Sequence, residues 1–123
     1  MKSKASIKKE LRKLWYEIGH KRFKKCLICE DSPVEIHHAI SSSHILTAYD
    51  LKNQVPLCSD HHRISRVISP HNNKGVWMDY LKEWEPELYE YITENENRIA
   101  NSLPMHWYEE KLAYLKKALR EVS

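Results

Sequence analysis

The fold of this chain is built around two short motifs, Cys26-Leu27-Ile28-Cys29 and Cys58-Ser59-Asp60-His61. Each stretch places two metal-binding side chains three positions apart, a spacing typical of a tight turn. Two such pairs supply the four ligands of a tetrahedral zinc ion, with bonds of about 2.0–2.3 Å. The segment around them is too short to bury enough apolar surface to be stable alone. We therefore predict one structural zinc ion rather than two unrelated cysteine pairs, with the ligands Cys26, Cys29, Cys58 and His61.

Short strands and one helix are predicted around these pairs. Residues 34–38 are a β-prone run that follows a turn signal, and residues 54–57 are a second short strand. Pro56 favours an edge position for the second strand, because proline cannot donate a ladder hydrogen bond. Residues 39–52 are rich in serine and predict a loop with a short helical piece around 45–49. Ser59 and Asp60 open a helix that we expect to reach about residue 68.

Helices are predicted on both sides of this core. Before it, Ser6 is the expected N-cap and Gly19 the expected end of a helix. After it, we predict helices over 76–84, from Pro86 to Ile99, and from residue 105 onward. The apolar stripe of the first helix consists of Ile7, Leu11, Leu14, Trp15 and Ile18. The aromatic residues expected to pack the helical tail are Trp77, Trp84, Tyr89, Tyr91, Trp107 and Tyr108.

Length and composition indicate one α+β domain. The chain has 123 residues, and domains most often run to about 100–150. We expect a basic helix (1–25), a zinc-stabilised core (26–75) and a helical tail (76–123). No apolar run approaches the roughly 20 residues of a membrane span, and the first six residues do not resemble a secretory signal. Three cysteines cannot form a closed disulfide framework, and because no export signal is predicted we expect a reducing, cytoplasmic location.

Charge is distributed unevenly along the sequence. Residues 1–25 contain ten Lys or Arg and two acids, a net charge of +8, whereas residues 76–110 contain two Lys or Arg and nine acids, a net charge of −7. A basic helix is typical of a polyanion contact, although a solvated helix face is the ordinary alternative. The residues that we expect to contact DNA on this helix are Lys8, Lys9, Arg12 and Lys13.

Four pieces in a fixed order carry a family resemblance. They are CLIC (26–29), VEIHH (34–38), NQVPLC (53–58) and SDHH (59–62). In this order and spacing the sequence resembles the HNH endonucleases, the ββα-metal or His-Me finger superfamily, over about residues 26–75. The resemblance implies a ββα-metal core and metal-dependent hydrolysis of DNA. The basic leader and helical tail are similar in layout to phage recombination nucleases of the NinG/Rap and Ref type, which implies the cytoplasm of a bacterial host.

The resemblance also implies roles for several residues. It makes His38 the general base, and His37 and His62 ligands of a catalytic divalent metal, which is Mg²⁺, Mn²⁺ or Zn²⁺. The family usually offers a further His or Asn four residues after the second ligand, where this chain has Arg66. We expect His71 to be the third ligand, returning to the site by a loop.

The chemistry of phosphodiester hydrolysis agrees with these roles. The reaction needs an activated water, a cation near the phosphate oxygens and a proton for the leaving oxygen. A histidine that titrates near neutrality can be the base. Neighbouring strand residues point to opposite faces, so His37 and His38 can share one site only if the strand ends or twists there.

Several supporting residues have two interpretations each. Glu35 could orient an imidazole by a hydrogen bond or be an ordinary acid on a strand surface. Asn53 resembles the middle Asn of the family, which pins the long loop, but simple turn chemistry is the alternative. His20 and His44 have no predicted role. The cations near the site that could bind phosphates, or be plain surface residues, are Arg63, Arg66 and Lys74.

Three functions follow from these observations. The first is an HNH endonuclease acting on DNA, with branched, single-stranded and duplex DNA all open as substrates. The second is a zinc-stabilised DNA-binding module without catalysis, for which Arg66 at the ligand position is the motive. The third is a protein-interaction adaptor that uses the acidic tail. It leaves the paired histidines unexplained.

Overall fold

A computed structural model describes residues 3–64 and 69–122 of the chain, with only the backbone described at 63 and 64. The protein has an α+β fold, as predicted, with helices on both sides of one small sheet. The regular elements are α1 (Lys4–Arg22), β1 (Glu35–His38), β2 (Gln54–Leu57), α2 (Lys74–Trp84), α3 (Pro86–Asn95) and α4 (Met105–Val122). A 3₁₀ turn at Leu51–Asn53 and a π-helical turn at Asp60–Ile64 complete the order.

The sheet consists of two antiparallel strands. The register pairs Glu35 with Leu57 at one end and His38 with Gln54 at the other. β2 has the predicted bounds, and β1 begins one residue later than expected. The proline of β2 is tolerated because both strands of a two-stranded sheet have a free edge.

Helix α1 differs from its prediction at both ends. Ser3, not Ser6, is the N-cap, and its side chain accepts a hydrogen bond from the backbone N–H of Ser6. The helix also continues through Gly19 and ends at Arg22. A Cβ atom at position 19 would lie 2.9 Å from Cγ1 of Ile36. The glycine therefore permits close contact between helix and sheet and does not end the helix.

The core lies where α1 meets the sheet and α4. Ile7, Leu11, Trp15 and Ile18 are all at most 1% exposed, so four of the five predicted stripe residues are buried, and Leu14 is partly exposed. From α4, Tyr108, Leu112 and Leu115 join this core. The amphipathic period of α1 is thus explained by its position between sheet and tail.

The helical tail has three differences from the sequence prediction, of which the first is that α2 begins at Lys74 rather than at residue 76. α3 ends at Asn95 rather than Ile99, and Ile99 is 77% exposed. Trp84 is 65% exposed, so the expectation that it packs the tail is wrong, whereas Trp77 and Tyr108 are buried.

The helix expected over 59–68 is a π-helical turn as far as residue 64, and residues 65–68 lie outside the described part. Within 3–64 and 69–122, no helix combines the length and apolarity that crossing a membrane requires.

Candidate metal centres and the cleft beside them

The four residues predicted to bind zinc lie together. Sγ of Cys29 is 3.7 Å from Sγ of Cys58, and Nδ1 of His61 is 3.3 Å from Sγ of Cys58 and 3.8 Å from Sγ of Cys26. A tetrahedral zinc ion with bonds of about 2.0–2.3 Å separates its ligand atoms by about 3.3–3.8 Å. The donor set and its spacing therefore fit a metal such as zinc.

The first cysteine pair is held in a tight turn that docks on β2. The backbone N–H of Ile28 donates to Sγ of Cys26 at 3.4 Å, and that of Leu27 donates to the carbonyl of Pro56 at 2.8 Å. Glu30 closes the turn with φ at 63°, a left-handed conformation that is costly for a residue other than glycine. This turn fixes the positions of Cys26 and Cys29 relative to the sheet.

The two thiols of this turn differ in pKa because their surroundings differ. Burial raises the pKa of Cys26, but hydrogen bonds from backbone N–H groups outweigh it and lower that pKa to about 7. Burial and the neighbouring thiols raise the pKa of Cys29 to about 12. Crowded thiols of this kind suit a cation, which binds thiolates and removes their mutual repulsion.

Three further histidines form a second cluster. Nε2 of His62 lies 3.0 Å from Nδ1 of His37 and 3.1 Å from Nε2 of His71. His71 lies in this cluster, as expected from the sequence, and reaches it from the turn before α2. Bonds of about 2.1 Å place neighbouring ligands about 3.0–3.4 Å apart in octahedral or tetrahedral geometry. The spacing fits a divalent metal.

Glu35 fixes the proton of the central histidine. Its Oε1 lies 2.7 Å from Nδ1 of His62, and since a carboxylate oxygen accepts, Nδ1 carries the hydrogen. In the neutral ring Nε2 then has one lone pair, which cannot accept good hydrogen bonds from both neighbouring imidazoles. A cation bound by all three nitrogens resolves this arrangement. The orienting role considered for Glu35 is thus matched by its contact with His62.

His38 lies apart from these ligands, on the other side of the end of β1. Its Nε2 is 3.0 Å from the carbonyl oxygen of Ala48, so Nε2 donates and Nδ1 keeps its lone pair in the neutral ring. Burial lowers the pKa of His38, the hydrogen bond to Ala48 raises it, and the charge of Arg12 lowers it. The result favours a neutral imidazole that can accept a proton at Nδ1.

Asn53 holds the loop that carries Ala48. Its side chain is fully buried. Its Oδ1 accepts the backbone N–H of Ile40 at 2.6 Å, and its Nδ2 donates to the carbonyls of Ile40 and Thr47 at 2.9 and 3.1 Å. These bonds satisfy backbone groups that the loop would otherwise bury unpaired. They make the loop, and with it the hydrogen-bond partner of His38, a fixed part of the site.

Both histidines of β1 line one open cleft of about 560 Å³. Its wall includes His62 and His71 as well as Lys74, one of the predicted phosphate-binding cations. The strand ends after His38, so two neighbouring side chains can border the same cleft from different sides. Tyr16 of α1 is also part of the wall, as is His44, for which the sequence predicted no role.

The other predicted DNA contacts lie on α1. Lys8, Lys9, Arg12 and Lys13 are all exposed, and Arg12 is near enough to the cleft to influence the pKa of His38. The side chain of Arg63 and the whole of Arg66 lie outside the described residues.

Sequence reasoning missed three groups that contact His38, one of which is the ring of Tyr16, which meets the imidazole edge-on. The carbonyl of Ala48 left no trace in the sequence, because any residue type supplies a carbonyl. Trp15 was counted as a core residue of α1, yet its ring stacks on the imidazole of His38. Helical periodicity detects the buried face of a helix but does not reveal what that face contacts.

No protein-family model matches the sequence, and the searches of curated proteins and of solved structures find no match either.

Proposed function

We propose that this protein is a metal-dependent endonuclease of the HNH type that hydrolyses phosphodiester bonds of DNA. One observation carries the proposal. Three imidazole nitrogens converge at 3.0 and 3.1 Å, and the next residue of the same strand, His38, keeps a lone pair in a half-buried ring. A metal site beside a neutral base is what hydrolysis of a phosphodiester requires.

The residues divide the chemistry between them. When bound, a divalent metal would polarise the scissile phosphate and stabilise charge on the leaving oxygen. His37, His62 and His71 would hold it, with Glu35 keeping the central ring in the correct tautomer. His38 accepts a proton from the attacking water at Nδ1, while its Nε2–H stays bonded to Ala48. The Cys and His cluster acts as a structural zinc site.

The charge distribution supports DNA as the substrate. The exposed cations of α1 and Lys74 in the cleft would contact phosphates on either side of the scissile bond. The layout resemblance to phage recombination nucleases adds the proposal of a role in phage or prophage recombination. It carries no preference among branched, single-stranded and duplex DNA.

Nicking of supercoiled plasmid tests the proposal. We expect wild-type protein to nick in the presence of Mg²⁺ or Mn²⁺, with no cleavage in excess chelator. His38→Ala should lose about 10²–10⁴-fold in rate, the usual effect of removing a general base. His106→Ala is a matched control, because His106 is an exposed histidine of α4. DNA binding with no nicking by wild-type protein would instead support the catalytically inactive module.

A further inference from the structure

The indole ring of Trp15 and the imidazole ring of His38 are stacked. Their centroids are 3.8 Å apart and their planes differ by 9°. His38 is the last residue of β1, whereas Trp15 belongs to α1, outside the segment that resembles an HNH core. A flat aromatic face on one side of the imidazole removes one direction in which the ring can turn.

Trp15 is itself held in place by two hydrogen bonds to the loop and sheet. Its Nε1–H donates to the carbonyl of Asp50 at 2.9 Å, and its own carbonyl accepts a bond from Nε2 of Gln54 at 2.6 Å. Gln54 is the partner of His38 in the strand register. The side chain of Trp15 is fully buried, so its ring has no freedom to move away from His38.

These contacts enclose the imidazole from three directions. The indole covers one face, the carbonyl of Ala48 fixes Nε2, and the strand holds the backbone. Tyr16 also meets the imidazole edge-on, with ring centroids 5.8 Å apart. The χ angles of His38 are therefore set by α1 and the loop together.

We propose that Trp15 is a positioning residue for the general base, which makes helix α1 part of the catalytic machinery. This inference rests on the proposed function. Trp15 contacts the ring of His38 but neither accepts nor donates the transferred proton. It holds the ring of His38 so that Nδ1 meets the attacking water at the productive angle. A catalytic group that is misplaced by 1 Å can lower the rate by about 10²-fold.

Substitution of Trp15 separates this role from its packing role. Trp15→Phe keeps an aromatic face, whereas Trp15→Met keeps apolar bulk without one. We expect Trp15→Met to lose about 10–100-fold in kcat with little change in KM for DNA, and Trp15→Phe to retain most of the rate. Leu11→Ala is the matched control, because Leu11 is equally buried on the same helix but carries no ring that could stack on His38.

A double variant tests whether the effect passes through His38. If Trp15 only positions the base, Trp15→Met should cost nothing further in a His38→Ala background. A similar loss in both backgrounds would mean that Trp15 acts through general stability, and would overturn the inference.

Nuclear magnetic resonance of the histidine rings gives a readout that needs no cleavage and no variant. In wild-type protein the ring protons of His38 should be shifted upfield by the indole, unlike those of the exposed His20 and His106. Unshifted His38 protons would overturn the stack, and with it the inference, even where plasmid nicking upholds the proposed function. Failure of wild-type protein to nick at all, with the upfield shift present, would overturn the proposed function and the inference that rests on it.

Discussion

At the scale of single residues, the candidate site depends on which nitrogen of each ring carries a proton. Glu35 accepts from Nδ1 of His62 and the carbonyl of Ala48 accepts from Nε2 of His38. The same residue type is thereby given two different functions. His62 presents Nε2 to a metal, and His38 presents Nδ1 to a proton.

The contact between Glu35 and His62 yields a first prediction. Glu35→Gln can still accept the hydrogen bond but lacks the negative charge that makes His62 a stronger ligand. We expect affinity for the catalytic metal to fall by about 10-fold, and by up to about 100-fold in Glu35→Ala. Isothermal titration with Mn²⁺ measures this. Glu87→Gln, an acid in the first turn of α3, is the control, and equal affinities in all three proteins would contradict the account.

At the scale of elements, the two glycines of the chain have opposite roles. A Cβ at Gly19 would meet Ile36 at 2.9 Å and Nε2 of Gln54 at 3.0 Å, whereas a Cβ at Gly75 would have its nearest neighbour at 4.0 Å. Both residues are helical, so alanine improves helix propensity at either position.

We therefore predict opposite signs for the two alanine substitutions. Gly19→Ala should lower the free energy of unfolding by about 1–2 kcal/mol, because overpacking outweighs the propensity gain. Gly75→Ala should raise it by about 0.5 kcal/mol. Urea unfolding followed by circular dichroism decides between them. Stabilisation by Gly19→Ala would mean that α1 does not pack closely on β1.

The exposed cations of helix α1 are the residues that we expect to bind DNA. Replacing Lys8, Lys9, Arg12 and Lys13 with Gln should weaken binding to all DNA sequences. The slope of log affinity against log salt concentration should also become shallower, by about 0.9 for every duplex phosphate that the protein no longer neutralises. The control variant replaces Lys52, Lys82, Lys117 and Arg120 with Gln, which removes the same number of charges from other exposed positions. An equal effect in both variants would show that only net charge matters.

At the scale of the whole molecule, the Cys and His cluster joins the start of the core segment to the turn that follows β2. Its first pair docks on β2 and its second pair follows β2 directly. Zinc binding should therefore contribute directly to folding stability. We expect the purified protein to retain one tightly bound zinc ion, and chelation to lower Tm by about 10 °C or more. His62→Ala should keep this zinc. A well-folded protein with no zinc would refute the structural role.

The sequence was informative where chemistry needs a particular side chain at a particular spacing. The cysteine pairs, the amphipathic stripe of α1 and the bounds of β2 follow from such patterns, whereas Asn53 was singled out by the family resemblance alone. It was uninformative where tertiary contacts decide. From the sequence alone, Gly19 is predicted to end a helix, but in the structure it lets the helix pack against the sheet. Trp15 is predicted to be an ordinary core residue, but its ring stacks on His38. Trp84 has a large apolar side chain of the kind that usually packs in a core, but in the structure it is exposed.

In the proposed reaction His38 transfers a proton while His37, His62 and His71 hold a metal. The most direct test measures metal content and plasmid nicking together in His38→Ala, His62→Ala and His71→Ala. The account predicts that His38→Ala keeps both metals and its DNA affinity but loses about 10²–10⁴-fold in nicking rate. The other two should lose the catalytic metal together with activity while retaining zinc. Full nicking activity in His38→Ala, with both metals present, would contradict the account.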